Sequence, residues 1–372
     1  MINKHSIYKY NWVFFSLLVL LLVSGTASCS DNPAMEEEDT SKKTTLSIMV
    51  RGVTKNPMTD GYDEYIKTLR IIVFDDVSGM VCNEYYDQAD IETWDVKGSS
   101  PDTYYEISQE LQNFSGGNCR FYFIANEEEY IKYNSNDTTL TNFLGKSDLT
   151  ETQLKECIIA STPDTEDWSD KPILMIANPS AQYIKPGSDT KIADVNLVRC
   201  VAKMQLIVQK DDTGENKIPE NDVVTISNVY LHGTRPESYT LWENGSIITG
   251  IGYSKTLLSS EAKVGYPNDP YFSDIVYFPE KLYNDKTAGG DLYFTFTLNY
   301  KPENSDSDAT ERTYTIAIGK DADDDGFVDD YNIYRNTSYT ITATLKWQPT
   351  EPTMYIQVDA WGEKTMDVPA FE

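Results

Sequence analysis

Three kinds of side chain could give this 372-residue chain a chemistry of its own: a run of aspartates, one histidine in the body of the chain, and five scattered cysteines. In Asp321-Ala322-Asp323-Asp324-Asp325-Gly326-Phe327-Val328-Asp329, carboxylates stand at the first, third, fifth and ninth places and glycine at the sixth. That is the order of a calcium loop, where a hard cation gathers oxygens around a sharp turn. The twelfth place, where an EF-hand needs a bidentate Glu, holds Asn332, so that geometry fails. Two readings remain: a looser calcium site on Asp321, Asp323, Asp325 and Asp329, or a solvated hairpin tip between Tyr314-Thr315-Ile316 and Tyr331-Asn332-Ile333. No other cofactor is expected.

His232 would have to carry any Ser-His-Asp or Cys-His arrangement, because His5 lies in the N-terminal leader. Its setting, Val229-Tyr230-Leu231-His232-Gly233, reads as a strand running into a turn, and His232 is assigned to structure. Carboxylates are numerous enough for a glycosidase pair, but at a formal charge of -28 acidic neighbours carry no information. No glycine-rich phosphate loop or nucleophile elbow is present. The chain therefore reads as a non-enzyme. Cys82, Cys119, Cys157 and Cys200 lie far apart with no Cys-x-x-Cys and no histidine nearby, which argues against zinc. Cys119 and Cys200 sit in apolar runs and read as buried thiols. An oxidising compartment permits a disulfide, but the spacing names none.

The fifth thiol has a different setting. Lys4 and Lys9 precede an apolar run from Trp12 to Val23, which ends in Ser24-Gly25-Thr26-Ala27-Ser28. Residues 1–28 read as a signal peptide, the run being short of the about 20 apolar residues that a membrane span needs. Cys29 stands where a lipobox places its lipidated cysteine, although Thr26 replaces the usual Leu. The expectation is export as a lipoprotein, held to the outer membrane by lipid on Cys29; plain secretion is the alternative. Residues 29–43 are polar and acidic, with Glu36-Glu37-Glu38-Asp39, and read as a disordered tether. The acidic stretch resembles the surface-export signal of Bacteroidetes lipoproteins.

Removing Lys4 and Lys9 with the leader leaves -28 - 2 = -30. Without a basic cluster, nucleic acid is not an expected partner. The body of the chain is mainly β. Leu46 to Val50 alternates, Leu69 to Phe74 and Cys119 to Ala125 are apolar runs, and Asn196 to Val208 reads as one long strand. Ser338 to Trp347 and Met354 to Trp361 alternate as half-buried strands do. Helix is confined to short insertions at Thr138–Phe143 and Asp148–Cys157, the second capped by Asp148 or Thr150. Roughly 330 residues of β pattern exceed one sandwich, which predicts two domains, 44–190 and 195–372, divided at the turn-rich Lys185-Pro186-Gly187-Ser188-Asp189. Many of the 26 tyrosines stand near turns, as in Tyr85-Tyr86 and Tyr104-Tyr105, which suits sugar or protein contact as well as sandwich cores.

The order of these features resembles the type V pilin superfamily of the Bacteroidales, the fimbrillins and their tip and anchor subunits. The matching parts are the leader, the strands Thr45–Val53 and Ile66–Phe74, and Phe121-Tyr122-Phe123-Ile124-Ala125-Asn126-Glu127. They continue with Ile173 to Pro179, Leu197 to Met204, Tyr334-Arg335-Asn336-Thr337-Ser338-Tyr339 and Ile356 to Trp361. The resemblance implies two transthyretin-like β-sandwich domains in tandem and a structural subunit of a surface fimbrium that supports cell adhesion. It implies assembly with other pilin subunits by strand complementation, and contact with a host or bacterial surface ligand. In shaft precursors of that family the first strand fills a groove until a trypsin-like protease cuts behind it. Here that strand is Thr45 to Val50, with Leu46, Ile48 and Val50 facing inward and Arg51 and Lys55 as the candidate cleavage positions. The alternatives are a tip or anchor subunit that is never cut, a surface glycan-binding lipoprotein of a polysaccharide-uptake system, and a secreted carboxylate hydrolase.

Overall fold

Alternation of apolar and polar residues dictates the longest strands. Along Val201–Lys210, Met204, Leu206 and Val208 are fully buried while Lys203, Gln205, Ile207 and Gln209 are partly open, the period of two that lays one face of a strand on a core. Leu69–Asp75 is buried at every position, as a strand covered on both faces must be. The computed structural model describes residues 43–51, 65–98, 104–112, 114–128, 131–133, 138–160, 171–214, 217–242, 250–283, 292–303, 309–319, 330–348, 353–358 and 362–365.

Four large sheets form from these strands. The first has the order β10 (Asp189–Asn196), β1 (Thr44–Arg51), β5 (Tyr104–Leu111), β4 (Val96–Lys97). The second runs β11 (Val198–Arg199), β8 (Met175–Ala177), β6 (Gly117–Ala125), β2 (Leu69–Asp75), β3 (Gly79–Tyr86), with β9 (Gln182–Ile184) also on β6. The third runs β17 (Tyr271–Phe272), β12 (Val201–Lys210), β21 (Thr337–Gln348), β22 (Thr353–Val358), with β18 (Val276–Pro279) on β12 and β23 (Gly362–Thr365) on β21. The fourth runs β15 (Gly250–Leu258), β13 (Val223–Pro236), β19 (Tyr293–Lys301), β20 (Thr310–Ala317), with β16 (Ala262–Lys263) on β13. A two-stranded sheet joins β14 (Ser238–Thr240) to β7 (Ile158–Ala160).

The expected mainly β class, two sandwiches in tandem with small helical insertions, is the architecture observed. Leu46 and Ile48 of the first sheet meet Ile71, Val73, Phe121 and Phe123 of the second in one core. Met204, Leu206, Ile341 and Ala343 of the third meet Val224, Ile226, Phe294 and Phe296 of the fourth in another. A third core covers the outer face of β2 and β6, where Ile72, Phe74, Tyr122 and Ile124 pack on Leu154, Val201, Tyr239, Leu241 and Tyr277. Each fully buried aliphatic or aromatic side chain contributes on the order of 1.5–3 kcal/mol.

Two expectations change. The single strand read from Asn196 to Val208 is three pieces, because β10 ends at Asn196, β11 pairs with β8, and β12 starts at Val201. β10 and β11 thus lie in the first pair of sheets and β12 in the third, and a division of the chain is proposed near the turn-rich Lys185–Asp189 or between Arg199 and Val201. Among the described residues Tyr314–Ile316 and Tyr331–Ile333 do not pair as the expected hairpin: β20 pairs with β19, and Ile333 bridges to Lys281. The short helices are α1 (Gln88–Glu92), α2 (Leu140–Leu144) and α3 (Glu151–Lys155). Thr150 rather than Asp148 caps α3, in a reciprocal box with Gln153, which satisfies two orphan N–H groups at once.

Helix α3 is moored to β6 through Glu151, whose Oε1 accepts from Arg120 Nε at 2.7 Å, Lys155 Nζ at 2.8 Å and Tyr122 OH at 2.6 Å. Burial alone would raise this carboxyl, but the three donors outweigh it and hold it at about 2. A carboxyl depressed from its ordinary 4.5 binds fewer protons folded than unfolded, so its stabilisation is complete above about pH 4.5 and is lost on descent toward 2. Glu151→Gln is expected to flatten the acid limb of stability across that window; urea melts of both proteins between pH 5 and pH 2.5 measure it, and parallel curves would contradict it.

Candidate functional site

The strand that the sequence singles out sits between two others. β1 pairs antiparallel with β5 along its whole length, from Thr44 opposite Leu111 to Arg51 opposite Tyr104, and parallel with β10, from Thr45 opposite Asp189 to Arg51 opposite Asn196. Leu46, Ile48 and Val50 are fully buried in the first core, and Met49 is nearly so. Thr45 N donates to Ser188 O at 3.0 Å and Gly187 N to Thr44 Oγ1 at 2.9 Å, fixing the start of the strand on the turn before β10. Among the described residues β10 is an edge strand with β1 as its sole partner in the sheet. Taking β1 away would therefore unpair two backbones and open one apolar slot. An incoming strand that restored both ladders would have to run parallel to β10 and antiparallel to β5, with apolar side chains at alternate positions.

Arg51, the last residue of β1, is in register with both neighbours. A backbone held in two ladders cannot enter a protease cleft as a free extended segment. Lys55, Cys29 and the aspartates Asp321, Asp323, Asp325 and Asp329 lie outside the described residues. Among the described residues no three His, Cys, Asp or Glu side chains gather as a metal site. Cys82, Cys119, Cys157 and Cys200 are buried and in no disulfide, with Cys82 pushed up to about 12 and Cys119 to about 11, in both cases chiefly by burial.

His232 stands on β13 with Nδ1 3.0 Å from Ser254 Oγ and its ring between Tyr230 and Tyr293; no carboxylate bonds it among the described contacts. An open cleft of about 1120 Å³ is lined by Lys67, Tyr85, Asp87, Gln88, Glu92 and Glu128 among others. Its acids are already engaged: Glu128 with Lys67, Asp87 as the cap of α1, Glu92 with Gln88.

Beneath that cleft lies a cluster that sequence reading missed. Arg70 Nε donates to both Glu127 oxygens at 2.9 and 2.8 Å, its Nη2 to Oε1 at 2.5 Å, and its Nη1 to Asn83 Oδ1 at 2.8 Å. Both partners are buried, with side chains 5% and 0% exposed. Beside them Asn126 takes the left-handed conformation (φ 64°), which asparagine tolerates better than most residues. Its amide accepts from Lys67 N at 2.7 Å and donates to Tyr65 O at 2.8 Å and Ile173 O at 2.7 Å. The Ala125-Asn126-Glu127 end of β6 is thus a joint. Arg335 makes a second one, giving Nη1 to Leu241 O at 2.7 Å and Nη2 to Thr240 O at 2.9 Å and to Glu280 at 2.8 Å. The tyrosine pairs are largely structural too: Tyr105 is buried against Trp94, and Tyr86 donates to Gln109.

No family model matches the chain, and no curated protein matches it. Solved structures do. The tip fimbrial protein Mfa3 from Porphyromonas gingivalis, with its C-terminus truncated, aligns over 86% of this chain and 100% of its own at 16% identity with a TM-score of 0.50. A fimbrial assembly protein from Parabacteroides distasonis aligns over 85% and 99% at 13% identity (TM-score 0.48), and the fimbrial anchor protein Mfa2 from Porphyromonas gingivalis over 86% and 98% at 12% (TM-score 0.38). The fold of this chain is thus shared with the Mfa3 tip protein.

Proposed function

We propose that this chain is a non-enzymatic subunit of a surface fimbrium of the type V pilin kind, exported as a lipoprotein through Cys29, lodged at the outer membrane, and joined to other pilin subunits by strand complementation. The observation that carries the reading is β1, a single strand that fills a slot between β5 and β10 with Leu46, Ile48 and Val50. A strand bounded on both sides is the one element whose exchange satisfies two ladders and a core in one step. A second reading, a tip or anchor subunit that keeps β1 uncut, is favoured by the pairing of Arg51 on both sides and by the fold shared with a tip protein.

Electron microscopy of wild-type, deletion and Cys29→Ala cells tests the proposal. Deletion is expected to abolish filaments for a shaft subunit and to shorten or shed them for a tip or anchor. Cys29→Ala is expected to lose palmitate labelling and leave the protein unprocessed or released. Filaments unchanged in number and length in the deletion strain would refute the fimbrial role.

A further inference from the structure

The outward face of the fourth sheet carries three successive cross-strand rows without a charged residue. Pairing sets Ser254, His232, Tyr293 and Ala317 side by side in the first row and Thr256, Tyr230, Thr295 and Thr315 in the second. The third holds Ser227, Thr297 and Thr313, the two threonine hydroxyls 3.3 Å apart. The row beyond, Lys263, Thr225, Asn299 and Glu311, returns to charge. The inward residues of the same strands, Phe294, Phe296 and Leu298, fill the core, so the alternation that builds the sandwich also sets these rows facing out. Thr297 is buried, while the other side chains of the three rows are partly or fully exposed; in a chain where 24% of residues are charged and the net charge is -28, a neutral field of this extent stands out against its surroundings.

The three rings are ordered. Tyr230 and His232 stack with centroids 5.3 Å apart at 28°, and His232 and Tyr293 lie 5.5 Å apart at 37°. His232 is the middle ring, with Nδ1 engaged by Ser254 and Nε2 left as its second hydrogen-bonding position. Tyr230, His232 and Tyr293 are each partly exposed. Ser254, Thr256, Thr313 and Thr315 are exposed around the rings.

We infer that this face is a binding surface for a neutral polysaccharide. The C–H face of a hexose packs on an aromatic ring, its hydroxyls exchange hydrogen bonds with Ser, Thr and imidazole groups that donate and accept, and a sugar without charge meets no repulsion there. An anionic glycan finds no Lys or Arg within the three rows and meets Glu311 as well as Lys263 in the next, and a protein partner stable enough to persist would need more apolar area than three rings supply. The assignment goes beyond the fimbrial reading and does not depend on whether β1 is exchanged.

Affinity gel electrophoresis of the full mature chain in mannan, β-glucan and galactan, with heparin as the anionic control, tests it. At least one neutral polymer is expected to retard the protein and heparin is not. Tyr230→Ala/Tyr293→Ala is expected to weaken the retardation at least tenfold. Should that pair disturb the sheet, Thr315→Glu on the exposed edge strand β20 places a charge on the face without removing a ring, and is expected to weaken binding severalfold at an unchanged melting temperature. Absence of retardation by all three neutral polymers, or retardation unaltered in both variants, overturns the inference. Self-association abolished by Thr315→Glu, with no glycan retention, would overturn it in favour of a second copy of this chain.

Discussion

Arg70→Met is expected to cost about 3–5 kcal/mol of folding stability, the usual penalty for leaving one member of a buried ion pair without its partner. The guanidinium makes three contacts with Glu127 and a fourth with Asn83; methionine fills much of its volume but offers no proton. Burial already pushes the Glu127 carboxyl up, with Arg70 opposing. Once Arg70 is gone that carboxyl takes a proton in the folded state at a pH where the unfolded chain has lost it. The deficit relative to wild type therefore grows as pH rises past the wild type's own raised carboxyl, above the ordinary 4.5, and the variant is expected to be closer to wild type at pH 5 than at pH 8. Arg70→Met/Glu127→Leu removes both charges and is expected to recover most of the loss, since apolar replacements of a buried pair are often neutral or better. Chemical denaturation of the three proteins at the two pH values measures this. A loss under about 1 kcal/mol in the single variant, or a double variant no better than the single, would show that the pair is not desolvated as its geometry states.

That pair also shows where the sequence stops being legible. β1, β2, β6, β12 and β21 can be read directly, because a period of two or a continuous apolar run is a local property of the chain. The capping of α3 is local as well, Thr150 and Gln153 being three residues apart. Arg70 and Glu127 are 57 residues apart, and a buried charge looks like any other charge in a sequence that is 24% charged. The one available signal was Asn126-Glu127 closing an apolar strand, where an asparagine suited to positive φ ends the pairing and turns the next side chain inward. Helix α1, with Asp87 and Asp90 in a capping box, carries the same kind of signature as α3, but Ile91 is its single buried residue, too little apolar stripe to read. The long strand expected from Asn196 to Val208 failed for the opposite reason. Its apolar pattern is nearly continuous, and only tertiary pairing, β10 on β1, β11 on β8 and β12 on β21, assigns its three parts to different sheets. On the neutral face, Tyr230 and His232 are visible as alternate residues of one strand, but Tyr293 joins them only through the register of β13 with β19.

Excising β1 is the change with the greatest expected consequence. Leu46, Ile48 and Val50 are fully buried, so their removal withdraws on the order of 5 to 9 kcal/mol of gross apolar burial at the usual transfer values. It also leaves β5 and β10 with unpaired N–H and C=O groups lining a buried slot, each of which is costly when unmet. Another subunit's strand can cover that slot, at the entropic cost of ordering the donor. Limited trypsin treatment of the mature protein is accordingly expected to release or loosen the first strand and to yield oligomers, followed by light scattering with mass spectrometry of the cut site. Because Arg51 is held in two ladders, cutting is expected at Lys55: Lys55→Ala should protect the monomer nearly as well as Arg51→Ala/Lys55→Ala, and Arg51→Ala alone should not. A released fragment ending at Arg51 would mean that the β1 ladder frays at its end before cleavage. A protein cut behind β1 that stays monomeric with unchanged stability would end the exchange mechanism here, and the subunit that keeps its first strand, tip or anchor, would then be the better account of the same fold.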